Sequence, residues 1–144
     1  MHSLRQRLNV RDESAFTLIE LLVVLIIIGV LLAIAIPSYL GFQKKAQQTA
    51  AASDVREAIP DAVAYYSDNG NYTALSVAKL QGYDSGLQVY NTPAGNPGIV
   101  TAKGGATEYC ISGEDGTNFA YVVGPGGQVV TNQTTDFCAS WTPV

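Results

Sequence analysis

A single carboxylate, Glu20, stands four residues into the stretch "FTLIELLVVLIIIGVLLAIAIP", which has no other charged residue between Phe16 and Pro37. An acid inside hydrocarbon is expensive, so a chain that keeps one there is read by default as using it. The chemistry open to it is ion pairing rather than catalysis. Two cysteines, Cys110 and Cys138, form either one bridge in an oxidising compartment or two free thiols in a reducing one. The lone histidine is His2, so the rest of the chain offers no imidazole for Ser-His-Asp or Cys-His catalysis. No Walker-type glycine loop and no Cys/His zinc spacing is present. Glu114-Asp115 are paired carboxylates flanked by Gly113 and Gly116, which reads as a solvated turn with a calcium site as the minor alternative. These residue types predict no catalytic site, no metal site and no cofactor. A net charge of −4, with no basic block beyond Lys44-Lys45, argues against nucleic acid as the main partner.

The element that must carry Glu20 is the oily run itself. From Leu21 to Ile36 no residue is polar, and at about 1.5 Å per residue Phe16–Ile36 is long enough to cross about 30 Å of hydrocarbon as a helix. A buried core helix would show a polar stripe. A secretory signal would place its small-residue cleavage site after the oil, whereas here Ser14-Ala15 precede it. A plain membrane anchor fits as well, and Arg5, Arg7 and Arg11 then keep the head "MHSLRQRLNVRDESA" inside and send the remainder outside.

Beyond Pro37 the composition turns polar. Val55, Ile59, Ala62 and Tyr66 recur at helical spacing and mark a core-facing stripe; Asp54, Glu57, Asp61 and Asp68 lie on an adjacent face expected to be solvated. One helix is therefore predicted from Phe16 to Asp68, with Pro60 kinking or dividing it and "DNGN" ending it at Gly70. Short β-like runs follow: Gly86–Asn91, Glu108–Ser112, Asn118–Val123 and Gln128–Asn132. "GPGG" joins the last two as a hairpin, and "NTPAGNPGIVTAKGGAT" reads as loop. The fold class predicted is α+β: a long N-terminal helix, apolar then amphipathic, packed on a small antiparallel sheet of three or four strands. "NYT" at Asn71 and "NQT" at Asn132 match a glycosylation acceptor pattern short enough to arise by chance.

"AFTLIELLVVLIIIGVLLAIAIP", with a polar leader and a small residue before it, resembles the prepilin junction and N-terminal helix of the type IV pilin family, which includes the pseudopilins of type II secretion and competence systems. The resemblance follows residues 1–60 in pattern and is tightest from Ser14 to Pro37. It implies a leader over residues 1–15, cut between Ala15 and Phe16 by a prepilin peptidase that also N-methylates Phe16. Ala15 stands where the family usually has Gly, and Asp12 and Glu13 make the leader less basic than usual. The resemblance further implies a membrane or filament-core half-helix over 16–37, an amphipathic half over 38–70 and a globular head over 71–144.

On the same resemblance, Glu20 of one subunit meets the Phe16 amine of another and sets the register of a homopolymeric helical filament. Gly29, Pro37 and Gly41 make a soft segment, since Pro37 leaves the Ala33 carbonyl without its donor. Cys110 and Cys138 staple a C-terminal loop. The implied function is a pilin, with a pseudopilin as the alternative. It would be held at the inner membrane with the assembly machinery and then be part of an extracellular filament; the chain is then a substrate of an enzyme and not one itself.

Overall fold

A computed structural model describes residues 16–90 and 96–144; residues 1–15, read above as a leader cut after Ala15, and residues 91–95 of the segment read as loop lie outside them. The described residues pack as two units, 16–40 and Gly41–Val144. Helix α1, Leu18–Asn69, is a single element of 52 residues. It runs through Pro37, Gly41 and Pro60, so of the two outcomes expected at Pro60, a kink or a division, the division does not occur. Its end is the expected one: Gly70 is left-handed at φ 71° and its N–H donates to the Tyr66 carbonyl at 2.7 Å.

In the unit Gly41–Val144, α1 buries Ala51, Ala52, Val55, Ala58, Ala62 and Tyr65. Ala52 apart, this stripe alternates spacings of four and three from Ala51 to Tyr65, but it is rotated from the predicted one. Tyr65 takes the core position, whereas Tyr66 is 40% exposed and Ile59 only half-buried. Four of the six buried residues are alanines, and this brings the helix backbone close to the sheet. Opposite them is Gly113, where a Cβ would lie 3.1 Å from both the Ala51 carbonyl oxygen and Val55 Cγ2.

The sheet has four antiparallel strands in the order β1 (Gly98–Gly104), β2 (Tyr109–Asp115), β3 (Asn118–Gly124) and β4 (Val130–Gln133). The β3–β4 hairpin and the strands around Cys110 and Asn118 are as expected. Strand β1 corrects the loop reading of "GIVTAKG": it starts and ends in glycine and carries a bulge between Ile99 and Thr101. Of the run Gly86–Asn91, the described residues 86–90 form no strand; Val89 makes only an isolated parallel bridge to Ile99. The short helix α2, Val77–Tyr83, was not anticipated. It is capped by Ser76, whose hydroxyl accepts from the Lys79 N–H, and is tied back to α1 where the Tyr83 hydroxyl donates to Asp68 at 2.8 Å.

Strand β2 is central and covered on both faces, so it shows burial without alternation, whereas β3 alternates strictly. Tyr109 and Ile111 join the α1 core with Ile99, Leu80, Ala120 and Val122. Each fully buried aliphatic side chain of this kind contributes about 1.5–3 kcal/mol. Gly124 is required beside Tyr109, because any Cβ there would fall inside the phenol ring.

Candidate assembly site on the N-terminal helix

Every residue from Phe16 to Ala46 is exposed, including the whole apolar run. By length and composition α1 is able to cross a membrane. Glu20 lies in its first turn, where the partial positive charge of a helix N-terminus favours a carboxylate. Thr17 holds it there: Thr17 Oγ1 accepts from the Glu20 N–H at 3.3 Å and donates to Glu20 Oε2 at 3.4 Å. The Thr17 carbonyl accepts from the N–H groups of Glu20 and Leu21. Thr17 and Glu20 thus form a variant capping box, a role for Thr17 that sequence reading missed although T-x-x-E is its visible signature. Phe16, immediately before the cap, is 74% exposed, so a terminal amine at this position would be free to reach another molecule. A Cβ at Gly29 or Gly41 would meet nothing within 4 Å, so packing inside the chain does not require either glycine.

The C-terminal segment is held over the outer face of the sheet by three devices. Cys110 of β2 is bonded to Cys138 of the short helix α3 (Phe137–Ser140), with Cα atoms 5.6 Å apart across 28 residues of sequence. Asp136 caps α3 by accepting from the Ala139 N–H. Its two oxygens also accept from Thr101 of β1 at 2.5 Å and Ser112 of β2 at 2.6 Å. Phe137 stacks on Tyr121 of β3 with centroids 4.3 Å apart. Asp136 was not singled out from sequence; the signal was a cap residue just before a cysteine.

The acidic face of α1 is not simply solvated. Asp54 and Asp61 are half-buried, and each has one buried oxygen without a hydrogen-bond partner. Burial, with Glu57 and Asp115 nearby, pushes Asp54 up to about 6. Asp61 is raised by burial and then by Asp84 and Glu57, and Glu114 by burial and Asp136. Glu114 and Asp115 end β2 rather than sit in a turn; the turn itself is Gly116-Thr117. Among the described residues no group of three or more His, Cys, Asp or Glu is arranged to hold a metal ion.

An exposed apolar helix that opens on one capped acid, followed in the chain by a disulfide-bonded α+β head, fits the class of proteins anchored in a membrane by an N-terminal helix. Comparison with known proteins narrows it. Residues 10–36 match the prokaryotic N-terminal methylation motif. The chain is similar to the type IV wide pilus major component PilA4 of Thermus thermophilus, 32% identical over 86% of this chain and 91% of that protein. It is likewise similar to the type II secretion system core protein G of Vibrio cholerae, 29% identical over 83% of this chain and 86% of that one. The type IV major pilin PilA of Myxococcus xanthus is 37% identical over 46% of this chain and 30% of its own length. The chain belongs to the type IV pilin and pseudopilin family. These relatives are structural components of pili and secretion systems rather than enzymes, and the exposed apolar helix fits membrane anchoring.

Proposed function

We propose that this chain is a structural subunit of a type IV pilus, matured by cleavage between Ala15 and Phe16 and assembled by packing of its N-terminal helix. One observation carries the reading: a helical surface apolar from Leu21 to Ile36 and exposed throughout, preceded by a single capped acid, Glu20, within a methylation motif. In lipid that surface is satisfied by acyl chains; in a filament the same surface is covered by neighbouring copies. The N-methylated Phe16 amine of one copy pairs with Glu20 of the next. The pair's main effect is register, since desolvation offsets much of its attraction.

In this reading residues 1–15 are the leader, 16–37 the membrane and filament-core half of the helix, 38–70 its amphipathic half, and 71–144 the head. Gly29, Pro37 and Gly41 let the helix stretch or unwind during packing. Prepilin peptidase and an inner-membrane assembly platform are the partners. The subunit waits in the inner membrane and ends in an extracellular filament.

A pseudopilin of a type II secretion or DNA-uptake system is the second reading, favoured by the comparable similarity to secretion protein G. The bridged Cys110–Cys138 segment leans toward the pilus. Mass spectrometry of sheared surface filaments tests the proposal. Its expected main subunit begins at Phe16, carries one added methyl and lacks two hydrogens for the bridge. A main subunit that retains Met1–Ala15, or surface filaments without this chain, overturns it.

A further inference from the structure

On the side of α1 opposite the core, in the unit Gly41–Val144, a shallow depression is lined by Phe42, Lys45, Ala46, Thr49, Ala50 and Ser53. A second lies beside it, where Lys45 and Arg56 flank Gln48, Thr49, Ala52 and Thr131 of β4. Among the described residues nothing covers this face: Phe42 is 76% exposed, and Lys45, Thr49, Ser53 and Arg56 are exposed. At about 100° per residue, Lys45 and Arg56 fall on one edge of the face, and Asp54, Glu57 and Asp61 on the other, roughly 150° around the helix. Asp115 adds to the acidic edge beside Asp54, and Asp84 beside Asp61. No cation is among the groups acting on Asp54 or Asp61. The two edges are therefore opposite in charge and turned away from each other, and neither neutralises the other within one chain.

A closed two-fold contact between parallel helices allows no axial stagger, so it cannot bring residue 56 of one copy level with residue 61 of the other. A head-to-tail contact sets the basic edge of one copy against the acidic edge of the next, and such heterologous contacts are the kind that propagate into filaments. The stagger agrees in sense with the one that Glu20 demands. For Phe16 of one copy to reach Glu20 of another, the cation-bearing copy is displaced outward by four residues. For Arg56 to reach Asp61, or Lys45 to reach Asp54, it is displaced outward by five or nine residues. Counted along the sequence, all three displacements run in the same sense, toward the C-terminal end of α1.

We infer that the uncovered face of α1 between Phe42 and Asp61 docks a second copy of this chain, the Lys45–Arg56 edge of one subunit seating against the Asp54–Glu57–Asp61 edge of its neighbour. The inference rests on the filament reading and adds a second set of register contacts outside the apolar core. The contacts act mainly on partner choice and alignment, because exposed charges are screened at cellular salt.

Two one-sided variants test it, K45E/R56E and D54K/E57K/D61K, each expressed alone and then together in a host lacking the native chain. Thermal unfolding of the detergent-solubilised subunits accompanies them. Each variant alone sets like charge against like and is expected to lower filament yield about tenfold or more. Co-expression restores opposite charges at both named contacts wherever the two variants alternate, and is expected to recover yield to within about twofold of the parent. Lys45, Arg56 and Glu57 are exposed, so melting temperatures close to the parent's are expected. Should the change at half-buried Asp54 prove destabilising, R56E paired with D61K tests the Arg56–Asp61 contact by itself, and undiminished yield from R56E alone still overturns the inference.

Undiminished filaments from either variant, or no recovery on co-expression, overturn the inference. So does a K45E/R56E subunit whose loss is confined to retention on vesicles containing anionic phospholipid, since a lipid headgroup and not a second copy would then be the occupant. Absence of filaments from the parent chain overturns the proposed function instead.

Discussion

Thr17 closes on Glu20: one hydroxyl accepts from the Glu20 backbone N–H at 3.3 Å and donates to the Glu20 carboxylate at 3.4 Å. The acid read as an assembly residue is therefore also part of the cap that starts α1, and its orientation is set before any second copy arrives. Thr17→Ala removes this arrangement and is expected to cost about 1 kcal/mol of local helix stability. Hydrogen exchange of the Leu18–Leu21 amides in detergent micelles checks it. Faster exchange that Thr17→Ser restores is expected; unchanged exchange means the cap contributes nothing.

Asp136 supports the C-terminal segment through Thr101, Ser112 and the Ala139 N–H. Asp136→Ala leaves the fully buried Ser112 hydroxyl without an acceptor and uncaps α3. A loss of about 2–4 kcal/mol is expected in denaturant unfolding of the head, with Asp136→Asn losing less.

The bridge between Cys110 and Cys138 closes 28 residues of sequence. Replacing both cysteines with alanine is expected to cost about 3–4 kcal/mol, on a loop-entropy model. Reducing agent is expected to destabilise the parent by a similar amount and leave the double variant unchanged. Equal unfolding midpoints for parent and variant would show that the bridge does not support the head.

Asp54 titrates at about 6 in the fold, against 3.8 as its ordinary value, because burial and then Glu57 and Asp115 disfavour its charge. A carboxyl whose folded value is raised binds more protons folded than unfolded, so the fold gains stability as pH falls through about 6 toward 3.8 and loses it on the way back. Asp61 and Glu114 act in the same direction. The head is expected to be more resistant to urea at pH 5 than at pH 8. Asp54→Asn should reduce that difference and stabilise the head at pH 8.

How much of this was legible differs by element. The apolar half of α1, the helix stop at Gly70 and the strands around Cys110, Asn118 and Val130 follow from periodicity and turn chemistry. The buried stripe was read one position off at its outer end, because Tyr65 and Tyr66 are chemically alike and only packing chooses between them. Strand β1 was invisible because its bulge breaks the two-residue period and its glycines mimic a loop. Helix α2 buries only Leu80, too little for a stripe to show. Asp54 and Asp61 looked solvated because charge alone does not reveal how closely neighbouring elements crowd a helix face. At the candidate site Glu20 stood out by its cost, while Thr17, an ordinary residue in cost, went unnoticed.

The most direct test of the central claim is filament yield from Glu20→Gln, measured beside membrane insertion and leader removal of the same subunit. Gln keeps the shape and much of the hydrogen bonding to Thr17 but cannot pair as an anion with the Phe16 amine. The account predicts a subunit that is inserted and processed normally yet forms filaments sharply less well, with Glu20→Ala at least as impaired. Filaments as abundant and as regular as the parent's from Glu20→Gln would contradict it.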